Sequence, residues 1–134
     1  MAAQYAKGTW EMEKSENFDE YMKAVGVGFA KRLIGNAAKP KQQISIENGK
    51  WTIITSTTVS KVTLEFELDK EFEETTADGR KVMSTCTVDG SKLVTIQKGD
   101  LESVIVRDFT PDTFVMTLTA NDVTCTRHYK KTGE

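Results

Sequence analysis

Three residues carry the chemistry that this sequence offers: Arg127 and Tyr129, spaced i, i+2 in Asp122-Val-Thr-Cys-Thr-Arg-His-Tyr-Lys130, and Arg107 in Val104-Ile-Val-Arg107. Alternate side chains of an extended strand share a face. Val123, Cys125, Arg127 and Tyr129 therefore point one way, and Thr124, Thr126, His128 and Lys130 the other. The second set is uniformly polar and suits solvent. If Val123 and Cys125 face the interior, Arg127 faces it too, and arginine cannot shed its proton to escape burial. A buried guanidinium needs an anion, which an internal, water-holding cavity receiving an acidic ligand would supply. Tyr129 would offer its hydroxyl to the same anion. The competing reading is a surface arginine on a strand whose alternation is accidental. Alternation leaves the direction of Arg107 open, because Val104-Ile-Val106 is apolar on both faces.

Other chemistries are poorly supplied. The one histidine, His128, falls on the polar face with no serine or cysteine nucleophile placed beside it, so no enzyme is expected. Gly26-x-Gly28 is not a dinucleotide loop, since position 31 is lysine and a helix precedes it. Glu71, Glu73, Glu74 and Asp78 read as a solvated rim, with Phe72 turned inward between Glu71 and Glu73. The two cysteines, Cys86 and Cys125, form no CxxC and are expected as free thiols, without zinc or any other cofactor. Lys+Arg number 18 against 20 Asp+Glu, a net charge of −2, which provides no global field for nucleic acid. Met1-Ala-Ala-Gln-Tyr-Ala-Lys-Gly-Thr-Trp10 lacks an apolar leader core, and no run is long enough to span a bilayer, so a soluble, cytoplasmic protein is expected. The 134 residues suit one domain over 1–134, expected as a monomer.

The elements that would position the arginines follow from periodicity. In Gly8-Thr-Trp-Glu-Met-Glu13, Trp10 and Met12 alternate with Glu11 and Glu13, as a half-buried strand requires. Asn17 with Glu20 three residues on suggests a variant capping box, and Phe18, Tyr21, Met22 and Val25 follow at helical spacing up to a stop at Gly26. A second helix is predicted from about Phe29 to Asn36, with Lys31 and Arg32 turned outward, so that a helical hairpin covers about 17–37. After Pro40 the chain is punctuated by Asn48-Gly49, Asp78-Gly79, Asp89-Gly90, Gly99-Asp100, Pro111-Asp112 and Asn121-Asp122, at roughly the 8–12-residue spacing of a sandwich or barrel. Val62, Leu64, Phe66 and Leu68 share one face, as do Phe114, Met116 and Leu118. One apolar face per strand and no second helical layer favour a sheet curled into an antiparallel barrel of about ten strands, one segment being split near Asp69.

This order of elements resembles the intracellular lipid-binding proteins, most closely the heart/muscle and myelin types of fatty-acid-binding protein. The resemblance covers nearly the whole chain and rests on Gly8-Thr-Trp10, Asn17-Phe-Asp-Glu-Tyr-Met22, Gly26-Val-Gly-Phe-Ala30, Lys39-Pro40, Phe72-Glu-Glu-Thr-Thr-Ala-Asp-Gly-Arg-Lys81, Val106-Arg107 and Cys125-Thr-Arg-His-Tyr129. It implies an all-β fold, a ten-stranded antiparallel up-and-down β-barrel (a β-clam) with a helix-turn-helix lid. It further implies non-covalent binding and transport of a long-chain fatty acid, with the carboxylate held by Arg107, Arg127 and Tyr129. Phe18 and Met22 would touch the acyl chain from the lid, although both also read as ordinary helix core. Ala77 and Asp78 would stand at the portal. Thr58-Val-Ser-Lys61 departs from the family pattern by placing Val59 where a portal phenylalanine is usual. Retinoic-acid binders share Arg-x-Tyr and remain an alternative, whereas retinol binders generally carry glutamines. The membrane-stacking role of the myelin type needs two strongly basic faces, which the slightly acidic total argues against. Lys23, Lys31, Arg32 and Lys39 nevertheless gather charge around the lid, suggesting transient contact with anionic membranes.

Overall fold

Consecutive strands of the chain pair with one another at all but one step, as the short turns between most of them dictate. The computed structural model describes residues 2–134. It opens with α1 (Ala2–Ala6), β1 (Gly8–Glu16), α2 (Phe18–Ala24) and α3 (Phe29–Ala37). There follow β2 (Lys41–Glu47), β3 (Lys50–Ser56), β4 (Lys61–Glu67), β5 (Phe72–Thr75), β6 (Lys81–Asp89), β7 (Lys92–Lys98), β8 (Ser103–Phe109), β9 (Thr113–Ala120) and β10 (Val123–Gly133). All belong to one antiparallel sheet of order β4-β3-β2-β1-β10-β9-β8-β7-β6-β5. The pairing of β1 with β10 curls this sheet into a nearly closed barrel, with α2 and α3 as its lid. The turns carry the expected chemistry. Asn48 and Gly49 (φ 52° and 80°), and Asn121 and Asp122 (φ 49° and 64°), occupy the left-handed conformations that two-residue hairpin turns demand.

β4 and β5 form the two ends of the sheet. At this seam the backbone N–H of Asp69 donates to the carbonyl of Cys86 at 2.8 Å, and the stacked rings of Phe66 and Phe72, centroids 5.6 Å apart, fill the space that a ladder would take. The opposite region of the interior is solid. Trp10, Phe109 and Phe114 pack at centroid distances of 5.0–5.7 Å, and Tyr129 stacks on Phe114 at 4.5 Å. No periodicity or capping signal announces α1; its Ala6 is fully buried, and the carbonyl of Ala6 accepts from Trp10 Nε1 at 2.9 Å.

The lid differs from expectation in two ways. Asn17 forms no capping box: its backbone is left-handed (φ 67°), and its side-chain amide donates instead to the Thr124 carbonyl at 3.0 Å, tying the start of α2 to β10. Arg32, expected to face solvent, turns toward α2, where its Nε donates to Asp19 Oδ1 at 3.2 Å and its Nη1 to the Val27 carbonyl at 2.8 Å. Phe29, Leu33 and Ile34 are exposed in its place. The cause is that α3 lies over the barrel mouth rather than on a packed core, and it buries no residue of its own. It closes on α2 at Gly35, where an added Cβ would stand 2.8 Å from Met22 Sδ.

Candidate functional site

Strict alternation along β8 and β10 aims three polar side chains into the barrel. On β8, Ser103, Ile105, Arg107 and Phe109 are buried, which decides the direction that the sequence left open. On β10, Cys125, Arg127 and Tyr129 are buried while Thr124 and Lys130 are exposed. Both arginines are about 6% exposed and Tyr129 1%. His128 lies on the outer face, 3.8 Å from Glu16.

Arg107, Arg127 and Tyr129 line one cavity of about 460 Å³, and the same cavity is lined by Phe18, Met22, Val59, Ala77 and Asp78. All eight residues singled out from the sequence are thus brought together around a single space. Its walls are otherwise mainly apolar: Ile53 and Leu64 from one side of the barrel, Met116 and Leu118 from the other, and Val25 and Val27 from the lid.

Arg107 Nε donates to Gln42 Oε1 at 3.3 Å, and Arg127 Nε donates to Ser15 Oγ at 3.1 Å. Each guanidinium has five N–H donors, so these single bonds leave most of them for the cavity. Among the described residues, neither arginine lies within ion-pair distance of a carboxylate. Burial pushes both guanidinium groups below their ordinary range, a measure of how unfavourable their charge is without a counter-ion. Burial also pushes the Tyr129 hydroxyl up, which keeps it neutral and able to donate. The Cys86 thiol is pushed up to about 11 by burial and contacts Thr95 Oγ1 at 3.1 Å, an inert environment for sulfur. Both cysteines are free. No group of three or more His, Cys, Asp or Glu among the described residues could hold a metal ion.

At the rim, Asp78 holds the turn between β5 and β6. Its Oδ2 accepts from Arg80 Nε at 2.7 Å and its Oδ1 from Thr76 Oγ1 at 2.8 Å, while its backbone carbonyl accepts from Lys31 Nζ of α3 at 2.8 Å. The lid is thereby fastened across the mouth. Val59 stands on the facing turn, 71% exposed.

Sequence reasoning missed Gln42 and misplaced Glu74. Gln42 shares an inward face with Ile44, and that alternation was visible in Lys41-Gln-Gln-Ile44. Glu74 was assigned to a solvated rim, but it shares the inner face with Phe72 and lines the cavity, accepting from Ser84 Oγ at 2.7 Å and from Gln97 Nε2 at 3.1 Å. The i, i+2 relation to Phe72 was the signal.

A lidded antiparallel barrel around an internal, mainly apolar cavity with inward arginines defines a carrier of amphipathic molecules. Residues 7–132 match the sequence model of the lipocalin / cytosolic fatty-acid binding protein family, and the chain belongs to that family, one of lipid-binding carriers rather than enzymes. The chain is 48% identical over 131 residues to sodium/calcium exchanger regulatory protein 1 of Doryteuthis pealeii, covering 98% of each. It is 41% identical over 125 residues to a fatty acid-binding protein of Tyrophagus putrescentiae, covering 92% of this chain and 95% of the relative. Its structure is similar to that of a Schistosoma mansoni fatty acid binding protein in complex with arachidonic acid, with a TM-score of 0.95, 35% identity, and coverage of 98% and 99% of the two chains.

Proposed function

We propose that this protein binds a long-chain fatty acid in the cavity and carries it through the cytoplasm as a monomeric, one-domain carrier, the carboxylate held by Arg107, Arg127 and Tyr129. The observation that carries this reading is the pair of buried arginines lining the cavity with no carboxylate among the described residues within ion-pair distance. A carboxylate would receive charge-assisted hydrogen bonds there and relieve the cost of two buried cations. The apolar walls would take the acyl chain, with Phe18 and Met22 above it. The arachidonic acid bound by the schistosome relative supports the same ligand class. Affinity for a fatty acid and for the alcohol of equal length, measured by calorimetry before and after Arg127→Gln, tests the reading. Acid binding should weaken much more than alcohol binding, and equal losses would remove the head-group assignment.

Delivery would proceed by transient contact of the lid with anionic membranes. Exposed Phe29 and Leu33 on α3, next to Lys31, give that face both an apolar and a basic component.

A further inference from the structure

The wall made by β5, β6 and β7 turns a second set of polar groups into the barrel, apart from the arginines. Glu74 Oε1 receives both hydrogen bonds of the cluster, from Ser84 and Gln97, and Glu74 Oε2 makes none to protein among the described residues. Gln97 is 4% exposed, and its Oε1 is a buried acceptor with no partner. Glu74 and Gln97 both line the cavity. Among the described residues, Gln97 Oε1 is thus a buried acceptor without a donor, and Glu74, to which Gln97 Nε2 is bonded, holds a second oxygen that no protein donor engages. Methylene groups packed against them would leave both unmet, which is the costly way to bury an acceptor. A donor is the chemistry they fit.

The register fixes where that donor must lie. Gln97 faces Ser103, which is four residues along β8 from Arg107 on the same inward face, so the backbone separation is roughly 13 Å at 3.3–3.4 Å per residue. The Glu74 charge still acts on Arg107 across this span, and a chain whose carboxylate sits at the arginines would reach Gln97 beyond its first carbons. The terminal amide torsion of glutamine is broad, so Gln97 can turn its oxygen toward such a group at the cost of reorienting the Nε2 that donates to Glu74.

We propose that Glu74 and Gln97 form a second polar subsite, and that the preferred ligand is a long-chain acid bearing a hydroxyl near mid-chain, which donates to this pair while its carboxylate sits at the arginines. The proposal rests on the fatty-acid reading above. It is tested by calorimetry on the delipidated full chain with three probes: octadecanoic acid, the same acid hydroxylated at mid-chain, and its isomer hydroxylated beside the carboxylate. The mid-chain isomer should bind about tenfold tighter than the other isomer, the equivalent of one hydrogen bond to a charged group. Glu74→Met and Gln97→Met should each abolish most of that preference, read within each variant as the ratio of its affinities for the two hydroxylated isomers. Equal affinity of the wild-type protein for the two isomers overturns the subsite, as does a preference that survives both substitutions. The isomer comparison needs no variant and decides the matter even if one fails to fold. Octadecanoic acid bound without discrimination between isomers sinks the subsite alone, whereas no binding of any of the three sinks the carrier reading with it.

Discussion

Arg127 lies against the flat face of Phe18, its guanidinium carbon 3.8 Å from the ring centroid. One residue belongs to the last strand and the other to the first turn of the lid, so the lid rests directly on the anion site. The ring covers a face of the guanidinium and leaves its edge to a ligand. In the empty protein, a double-mutant cycle of Phe18→Leu and Arg127→Gln, read by urea unfolding, should give a coupling of about 0.5–2 kcal/mol, the range for cation–π contacts between exposed and desolvated. Additive effects would show that the stack carries no energy.

Arg127→Gln should act in opposite directions on the empty and loaded protein. With fatty acid bound, the loss should be roughly 1.5–3 kcal/mol, the worth of a hydrogen bond to a charged group. Without ligand, a neutral amide of similar reach relieves an internal cation, so stability in urea should change little or rise. A large loss of stability in the empty variant would instead assign Arg127 a structural role through Ser15.

Asp78 makes the rim sensitive to acid. Burial alone would raise its carboxyl, but the hydrogen bonds from Arg80 and Thr76 outweigh that and leave it below the ordinary aspartate range. A depressed folded value means that the unfolded chain takes up the proton more readily, so the stabilisation is complete above about pH 4 and is lost as pH falls below it. Asp78→Asn should therefore lower stability at about pH 6 and flatten the loss on acidification. Parallel pH profiles of the two proteins would remove Asp78 from the acid response.

A smaller side chain at the mouth should let ligand leave more easily. Val59→Phe is expected to slow fatty-acid release in stopped flow, with little change for contacts at Arg107 and Arg127. Identical release rates would show that Val59 does not gate the cavity.

Transfer to membranes should depend on the apolar lid face more than on its charge. Lys23 is paired with Asp19 and Glu20, and Arg32 with Asp19, which offsets part of the basic character of the lid. Transfer to anionic vesicles should slow on raising salt, as the Debye length falls from ~10 Å at 0.1 M to ~3 Å at 1 M. Phe29→Ser should slow it further at either salt concentration. A rate indifferent to both changes would exclude collision through α3.

Strand periodicity made the barrel legible, because a one-residue slip would have sent Arg127 and Tyr129 to the outside together with Cys125. The two lid helices were legible as helices but not in their orientation, and α1 was not legible at all. Helical spacing in Phe29–Ala37 marks Phe29, Leu33 and Ile34 as an apolar group without saying whether a core lies beneath it, and here none does. Asn17 illustrates the same limit: its type fits a cap, yet its amide is engaged by a carbonyl 107 residues away in the chain. Glu74 is hard to read because a carboxylate is usually solvated, a general preference that competes with the alternation with Phe72.

The seam between β4 and β5 leaves the sheet with two free edges, each a row of backbone donors and acceptors that another chain could extend. Several features blunt that invitation. β5 is only four residues long, Glu73 stands exposed on it, and β4 presents Lys61, Glu65 and Glu67 to solvent. The opening that keeps the cavity wall from being a closed hoop is thereby blunted by charge and brevity as a template for another strand, so the cavity is bounded by a wall with a joint in it.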